Sequence, residues 1–177
     1  LEKYMDLNGD DDQRVLRHAF LNSYFQTGLK NLIDVAVIER AKKNGLGGLL
    51  EEYRHVDEIP FDFSRRRMSV VLEDSAGKRQ LITKGAVEEV LAICSYADFC
   101  GEIRPLDDAH RALAQQVYAK HNFDGLRMLA VAQKNEIREA GAFDTSDEKD
   151  MVLLGFIGFL DPPKQSAAQA ITALQEH

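Results

Sequence analysis

Residues 69–83 read SVVLEDSAGKRQLIT, and this stretch decides the fold. The runs 69–72 and 80–83 are rich in apolar and β-branched residues, which favour strands. Between them, residues 73–78 are polar and include a glycine, as is typical of a hairpin turn. Because two consecutive strands without an intervening helix pair antiparallel, we expect an antiparallel sheet.

The segments that flank this hairpin predict helices on one or both faces of the sheet. Residues 15–24 have helical spacing and follow the acidic run 10–12, which suits a helix N-terminus. Residues 32–38 are apolar nearly all round, which predicts a mostly buried helix. A short helix should begin just after Gly85. Asp107 is a candidate N-cap for a helix to about residue 120, with Ala109, Leu113 and Val117 on its inner face.

Two further strands are predicted in the second half of the chain. They cover residues 127–133 and 151–160, and the latter run is apolar on both faces, as expected of a central strand. The order of helices and strands predicts an α+β fold, in which helices flank an antiparallel β-sheet.

The composition excludes several classes of protein. The 177 residues are 45% hydrophobic and 29% charged, which is typical of a globular domain. The net charge of −7 disfavours nucleic acid as a partner, since such binding depends on neutralising phosphates. The two cysteines and five histidines match no common metal-ligand spacing, so we expect no metal site. No heptad pattern is visible, which favours a monomer.

Residues 60–71, PFDFSRRRMSVV, concentrate positive charge and aromatic rings. A ring can stack on a nucleotide base while a guanidinium binds phosphate, so the run could hold a nucleotide. Two alternatives stay open. The run could be a solvated basic strand with Phe61 and Phe63 packed in the core, or a docking patch for an acidic partner.

The run Thr83-Lys84-Gly85-Ala86 lies at a predicted strand-to-helix junction. A glycine there could let a ligand approach the backbone, and the lysine would supply a mobile ammonium. The alternative is a surface lysine beside a turn glycine.

Four motifs in order resemble the nucleotide-binding domain of P-type cation-transporting ATPases. They are the Pro-Phe to Met-Ser-Val run (60–70), Lys-Gly-Ala (84–86), GLRMLAVA (125–132) and Asp-Pro-Pro-Lys (161–164). The resemblance covers nearly the whole chain, and residues 25–37 look most like the bacterial magnesium-transporting branch. The alternatives are a calcium or proton ATPase of the same family, or a stand-alone nucleotide-sensing module.

The resemblance implies specific roles in ATP binding. Phe61 would stack on adenine, Lys84 would lie at the mouth of the adenine pocket, and Arg127 would reach the phosphates. Asp34 matches an acidic residue, usually Glu, that approaches the adenine amino group. Phe63 is the rival for the stacking ring, and Arg65 and Arg67 are secondary candidates. The full expected set is Asp34, Phe61, Arg66, Met68, Lys84, Gly85, Ala86, Arg127 and Leu129.

The resemblance also implies a division of labour within a longer polypeptide. Residues 1–160 would form the nucleotide-binding domain, and residues 161–177 the hinge (Asp161, Pro162, Pro163, Lys164) and the return into the phosphorylation domain. The family's phosphorylated Asp-Lys-Thr-Gly-Thr segment does not occur in this sequence, so these residues alone should bind ATP without efficient turnover. Residue 1 is Leu, which also suggests a part of a longer chain.

The expected setting follows from that division. The partners would be the phosphorylation, actuator and membrane domains of the same polypeptide, on the cytoplasmic side of a bacterial inner membrane, with this part of the chain soluble. ATP would be the ligand, and Mg²⁺ would accompany it in the full enzyme but would not be required for adenine binding.

Overall fold

The computed structural model describes residues 1–135, 137 and 142–160. An eight-stranded sheet carries helices on both faces, which confirms the α+β prediction. The strands are β1 (Lys3–Met5), β2 (Tyr53–Ile59), β3 (Arg67–Asp74), β4 (Arg79–Ala86), β5 (Cys94–Phe99), β6 (Glu102–Pro105), β7 (Leu126–Lys134) and β8 (Met151–Leu160). The helices are α1 (Gln13–Phe25), α2 (Leu32–Lys43), α3 (Val87–Leu91) and α4 (Asp108–Phe123), with 3₁₀ turns at Gly47–Glu52 and Thr145–Asp147.

The strand order is β2-β3-β4-β7-β8-β5-β6, and β1 also pairs with β8. The predicted hairpin is β3–β4, with Val70 opposite Ile82, and β8 is central as predicted. The sheet departs from the prediction in one place, because β5 runs parallel to β8. After β4 the chain passes through the short helix α3 and crosses over β7 and β8. This connection places β5 on the side of β8 that does not pair with β7.

Alternation along the strands divides the core between the two faces of the sheet. Val70, Leu72 and Ile82 face the layer formed by α1 and α2, whereas Val71 and Leu81 face α3 and α4. The N-caps predicted from acidic residues are present, since Asp12 caps α1 and Asp107 caps α4.

The prediction that α2 is mostly buried was wrong. Leu32 is 84% exposed and Val35 is 40% exposed, because the helix lies on the outside of α1 and contacts the core with Val37 and Ala41. The predicted inner face of α4 was right in part, since Val117 packs against the core but Ala109 is exposed and Ala114 is the fully buried residue.

Candidate functional site

The strand ends of β3, β4 and β7 form the floor of a cavity of about 420 Å³. β3 begins there at Arg67, β4 ends there at Ala86, and β7 begins there at Leu126. The antiparallel register therefore sets Lys84 between Met68 and Val131, and Ala86 beside Leu129. All nine residues expected at a nucleotide site line this cavity, although they come from four separate parts of the sequence.

The end of α1 is fixed above this floor. The Asn22 Nδ2 donates to the Ile82 carbonyl oxygen at 2.9 Å, which ties the last turns of α1 to β4. The chain then leaves the helix and returns into α2, and Gln26, Leu29 and Asn31 of this connection line the cavity. The wall above the sheet is thus built from two helix ends and the turn between them.

Lys84 is buried at the base of the cavity, and the prediction of a mobile ammonium at its mouth was wrong. The residue is 4% exposed. Its Nζ donates to Asp34 Oδ1 at 2.7 Å and to Ser23 Oγ at 2.6 Å. Burial lowers the pKa of the Lys84 ammonium, and the neighbouring carboxylate of Asp34 opposes that effect. Lys84 joins β4 to α1 and α2, so its position is fixed.

Asp34 is held from several directions at once. Its backbone N–H donates to Asn31 Oδ1 at 2.8 Å, and its Oδ2 accepts from the Asn31 N–H at 3.3 Å, which makes a capping box at the start of α2. The same Oδ2 accepts from Gln26 Nε2 at 3.1 Å. Both carboxylate oxygens therefore already have protein partners, and Gln26 lines the cavity beside Asp34.

Phe61 and Phe63 differ in their relation to the cavity. Phe61 lines it and is 52% exposed, whereas Phe63 is 89% exposed and is not part of the lining. The two rings meet edge to face, with centroids 5.6 Å apart and planes at 84°. The alternative in which both rings pack in the core is wrong, because both lie on the loop before β3.

The three consecutive arginines point in different directions. Arg66 has a φ of +52°, a left-handed conformation that turns its side chain toward the cavity and away from its two neighbours. Its Nη1 lies 3.5 Å from Glu89 Oε1, and its carbonyl oxygen accepts from the Ala86 N–H at 2.9 Å. Among the three, Arg66 thus belongs to the cavity.

Arg65 and Arg67 instead bind Glu148, whose side chain is fully buried. Arg65 donates to it through Nε at 3.0 Å and Nη2 at 3.1 Å, and Arg67 through Nε at 3.2 Å. Ser69 Oγ donates to the same carboxylate at 2.5 Å. We call these four residues the Glu148 clamp. It fastens the loop that carries Phe61 to the segment before β8.

Gly85 is needed for a different reason from the predicted one. A Cβ at this position would lie 2.5 Å from the Arg66 carbonyl oxygen and 2.5 Å from the Arg67 Cβ. The glycine therefore lets the start of β3 approach β4, and the space that it leaves is filled by backbone. Gly85 contributes to the cavity by allowing this close approach, which places Arg66 at the cavity.

The sequence indicated Arg127 and Leu129 of β7 but not the part of the wall that α4 provides. Arg127 is exposed at the start of β7, and Leu129 follows it on the same face of the strand. Tyr118 and Asn122 from the C-terminal half of α4 lie against them. Tyr118 and Asn122 belong to the helix directly before the GLRMLAVA motif. The position of that helix in the sequence could have indicated that they lie near Arg127. The lining residues outside the expected set are Gln26, Leu29, Asn31, Ile33, Tyr118, Asn122 and Met128.

Comparison with known proteins decides the family. The family model described as "P-type ATPase, cytoplasmic domain N" matches residues 24–166. This chain belongs to that family. The N-domain fold predicted from the four motifs is thus confirmed.

Individual relatives agree with this assignment. A protein named "Magnesium-transporting ATPase, P-type 1" from Escherichia coli K12 is 45% identical over 99% of this chain, which covers 20% of that protein. A protein of the same name from Salmonella typhimurium strain 14028s is 43% identical over 99% of this chain and 19% of its own length. A "Calcium-transporting ATPase" from Bacillus subtilis is 31% identical over 80% of this chain and 16% of its own length. The N domain described here thus spans about a fifth of such relatives.

Two further observations concern the described residues. None of their helices is long and apolar enough to span a membrane. Residues 1–135, 137 and 142–160 contain no group of three or more His, Cys, Asp or Glu side chains arranged to hold a metal ion. The hinge predicted at Asp161, Pro162, Pro163 and Lys164 lies outside the described residues.

Proposed function

We propose that this N domain binds ATP, with the adenine ring stacked on Phe61 inside the cavity and the phosphates extending past Arg66 and Arg127. The observation that carries the proposal is the convergence of nine residues, chosen from sequence motifs, on one cavity. Its volume of about 420 Å³ lies within the range of small-molecule sites.

The chemistry of the lining supports this assignment. Phe61 offers a half-exposed ring, and stacking of a base on such a ring contributes about 1–3 kcal/mol. Arg66 has 62% of its side chain exposed, and Arg127 is also exposed, so both guanidiniums can contact phosphate while remaining hydrated. The buried Lys84–Asp34 pair acts from below by fixing the base of the cavity. We therefore expect weak binding by the isolated domain that does not require Mg²⁺.

For the whole protein, we propose ATP-driven transport of a cation, with Mg²⁺ as the transported ion. The higher identity to magnesium-transporting relatives, 45% against 31% for the calcium-transporting one, supports the choice of ion. The aspartyl-phosphate would form outside these residues. The N domain would hold the adenosine end and present the γ-phosphate to the phosphorylation domain when the domains close. The actuator and membrane domains would be further partners, on the cytoplasmic side of a bacterial inner membrane.

The experiment is an NMR titration of the ¹⁵N-labelled chain with ATP in EDTA. We expect saturable shifts at Asp34, Phe61, Lys84, Gly85 and Arg127. Phe61→Ala should weaken binding about 5- to 150-fold, the equivalent of the stacking energy. Phe63→Ala is the matched control and should cause a loss several times smaller, because this ring lies outside the cavity.

Two results would contradict the proposal. If Phe63→Ala weakened binding more than Phe61→Ala, the assignment of the stacking ring would be wrong. If the shifts did not saturate and vanished in moderate salt, the chain would bind ATP only as a nonspecific anion, and the proposed site would be wrong.

A further inference from the structure

A second cavity of about 300 Å³ lies at the opposite end of the β3–β4 hairpin from the ATP cavity. The first half of α1 forms one wall with Arg14, Arg17 and His18. The hairpin turn contributes Asp74 and Lys78, and the floor is formed by side chains of β4, β7 and β8. The proposed ATP site uses none of these residues.

Arg17 carries a hydrogen-bond donor that is buried without an acceptor. Its Nη2 donates to Tyr53 Oη at 2.6 Å, and its guanidinium lies 5.9 Å from the centroid of that ring. The Nε is buried and has no hydrogen-bond partner in the described part of the chain. Arg17 also forms no ion pair with any carboxylate of residues 1–135, 137 and 142–160. A buried cationic donor without an acceptor is costly, and an anion in the cavity would satisfy it.

The amide groups on the floor are oriented by one another. Gln80 Nε2 donates to Gln133 Oε1 at 2.8 Å and to Asn135 Oδ1 at 2.9 Å. Because these two amide oxygens already accept hydrogen bonds, the NH₂ groups of Gln133 and Asn135 are left to donate to a ligand. The cavity therefore presents further donors beside the Arg17 guanidinium.

The charges around the cavity favour an anion although the chain as a whole is acidic. Arg14, Arg17 and Lys78 are the cations of the lining, against the carboxylates of Asp74 and Asp98. Arg14 binds both oxygens of Asp98, at 3.2 and 3.3 Å. Asp74 Oδ1 accepts the backbone N–H groups of Ala76 and Lys78 at the turn. Asp98 neutralises Arg14, whereas backbone hydrogen bonds leave the charge of Asp74 in place. The positive charges of Arg17 and Lys78 therefore exceed the remaining negative charge of the lining by one.

His18 adds a polar group that is neutral near pH 7. Its Nδ1 donates to the Arg14 carbonyl oxygen at 2.8 Å, and its Nε2 lies 3.3 Å from the Gln80 Nε2. Burial is the main cause that lowers the pKa of His18 to about 4, and the Arg17 and Arg14 guanidiniums add to it. The hydrogen bond to the Arg14 carbonyl oxygen and the charge of Asp98 oppose it. The positive charge of the two guanidiniums would also favour a bound anion.

We propose that this second cavity is a binding site for a small oxyanion such as inorganic phosphate, held by Arg17, Lys78 and the amides of Gln133 and Asn135. The phosphate oxygens would accept from the buried Nε of Arg17 and from the two NH₂ groups. Lys78, on the exposed turn, would close the site from the solvent side.

The test is an NMR titration of the ¹⁵N-labelled chain with inorganic phosphate up to about 50 mM at constant ionic strength, pH 7. We expect saturable shifts at the Arg17 Nε–H and at the side-chain amides of Gln80 and Gln133. Arg17→Met keeps the aliphatic stem and should weaken phosphate binding at least about tenfold, since charged hydrogen bonds are lost. Lys120→Gln is the matched control at an exposed lysine of α4 and should bind phosphate as the wild type does.

Lys78→Gln provides a second variant at an exposed turn position, so its effect can be measured even if Arg17→Met does not fold. It should weaken phosphate binding about threefold, as expected for loss of a solvated charge. Shifts that rise linearly without saturation would overturn the proposal. So would a Lys120→Gln effect equal to that of Lys78→Gln. The titration repeated on Arg127→Gln, which removes a phosphate contact of the proposed ATP site, should give the same shifts at the second cavity and so separate the two sites.

Discussion

Replacement of Glu148 by alanine tests whether the Glu148 clamp holds the loop that carries Phe61. The carboxylate of Glu148 is fully buried and receives three hydrogen bonds from Arg65 and Arg67 and one from Ser69. The side chains of both arginines are 15% exposed, so they cannot fully hydrate in place once their partner is removed. We therefore expect a large loss of stability and a displaced loop.

The magnitude follows from the burial of this network. Removing one partner of a buried ion pair costs about 3–5 kcal/mol when the opposite charge is left uncompensated. Here that charge is the one on Arg67, because Arg65 keeps its ion pair with Asp62. For a chain of this size, such a loss should lower the melting temperature by about 6–20 °C. Glu148→Gln keeps the shape and one acceptor oxygen, so its effect should fall between the alanine variant and the wild type.

Glu73→Ala is the matched control for this substitution. Glu73 also accepts from two arginines, Arg54 Nε at 2.7 Å and Arg79 Nε at 3.2 Å, but its side chain is 18% exposed and that of Arg54 is 62% exposed. Ion pairs that water can reach contribute less than buried ones, so we expect a smaller loss of melting temperature than for Glu148→Ala. The contrast isolates burial, since the number of arginine partners is the same.

The assay combines thermal unfolding with ATP titration well below the melting temperature. If Glu148 positions the loop, the folded Glu148→Gln variant should bind ATP more weakly, with shifts in the amide signals of Phe61 and Arg66. The reasoning would be refuted if Glu148→Ala lost less than about 1 kcal/mol of stability. It would also be refuted if ATP affinity were unchanged in the folded variants.

Three further predictions use the same chain. Gly85→Ala should cost about 1–3 kcal/mol in urea unfolding, because its Cβ would overlap the backbone of the arginine run, whereas Gly48→Ala, with no atom nearby, should be close to neutral. The pKa of His18 is lowered to about 4, so protonation of this residue favours the unfolded chain. Its contribution to the free energy of unfolding, about 3 kcal/mol, should therefore be lost as the pH falls from 6.5 toward 4. His18→Gln should remove this part of the pH dependence of stability. Burial raises the thiol pKa of Cys94 to about 12, so a thiol reagent should modify only the exposed Cys100 in the native chain and both cysteines after unfolding.

The sequence predicted most of the sheet and nine of the residues that line the cavity, but for different reasons. The β3–β4 hairpin and the central strand β8 follow from local patterns of apolar residues and turn chemistry. The cavity residues were predicted from the order of the motifs, which indicates the family but gives no distances between residues. Their convergence became visible only through the register of β3, β4 and β7.

The parts that the sequence did not predict depend on long-range contacts. Helix α2 has an apolar pattern that predicts burial, yet α1 already covers the sheet and leaves Leu32 outside. The sequence did not predict that Arg65 and Arg67 pair with a carboxylate, and the acidic segment 144–149 holds several candidates for that partner. Only the fold selects Glu148, which lies 83 residues from Arg65 along the chain.

The buried pairing of Lys84 with Asp34 changes how substitutions at this cavity should be interpreted. If Lys84 and Asp34 made separate contacts to a nucleotide, each could be substituted without disturbing the other. At 2.7 Å apart in a buried position, charge reversal at Lys84 would set two carboxylates against each other, so lost ATP binding could reflect an altered fold. Loss of binding after Lys84→Glu therefore says little about the site. Phe61, which is half exposed and far from this pair in the sequence, can be truncated without leaving a buried charge, and it is the better position at which to test the site.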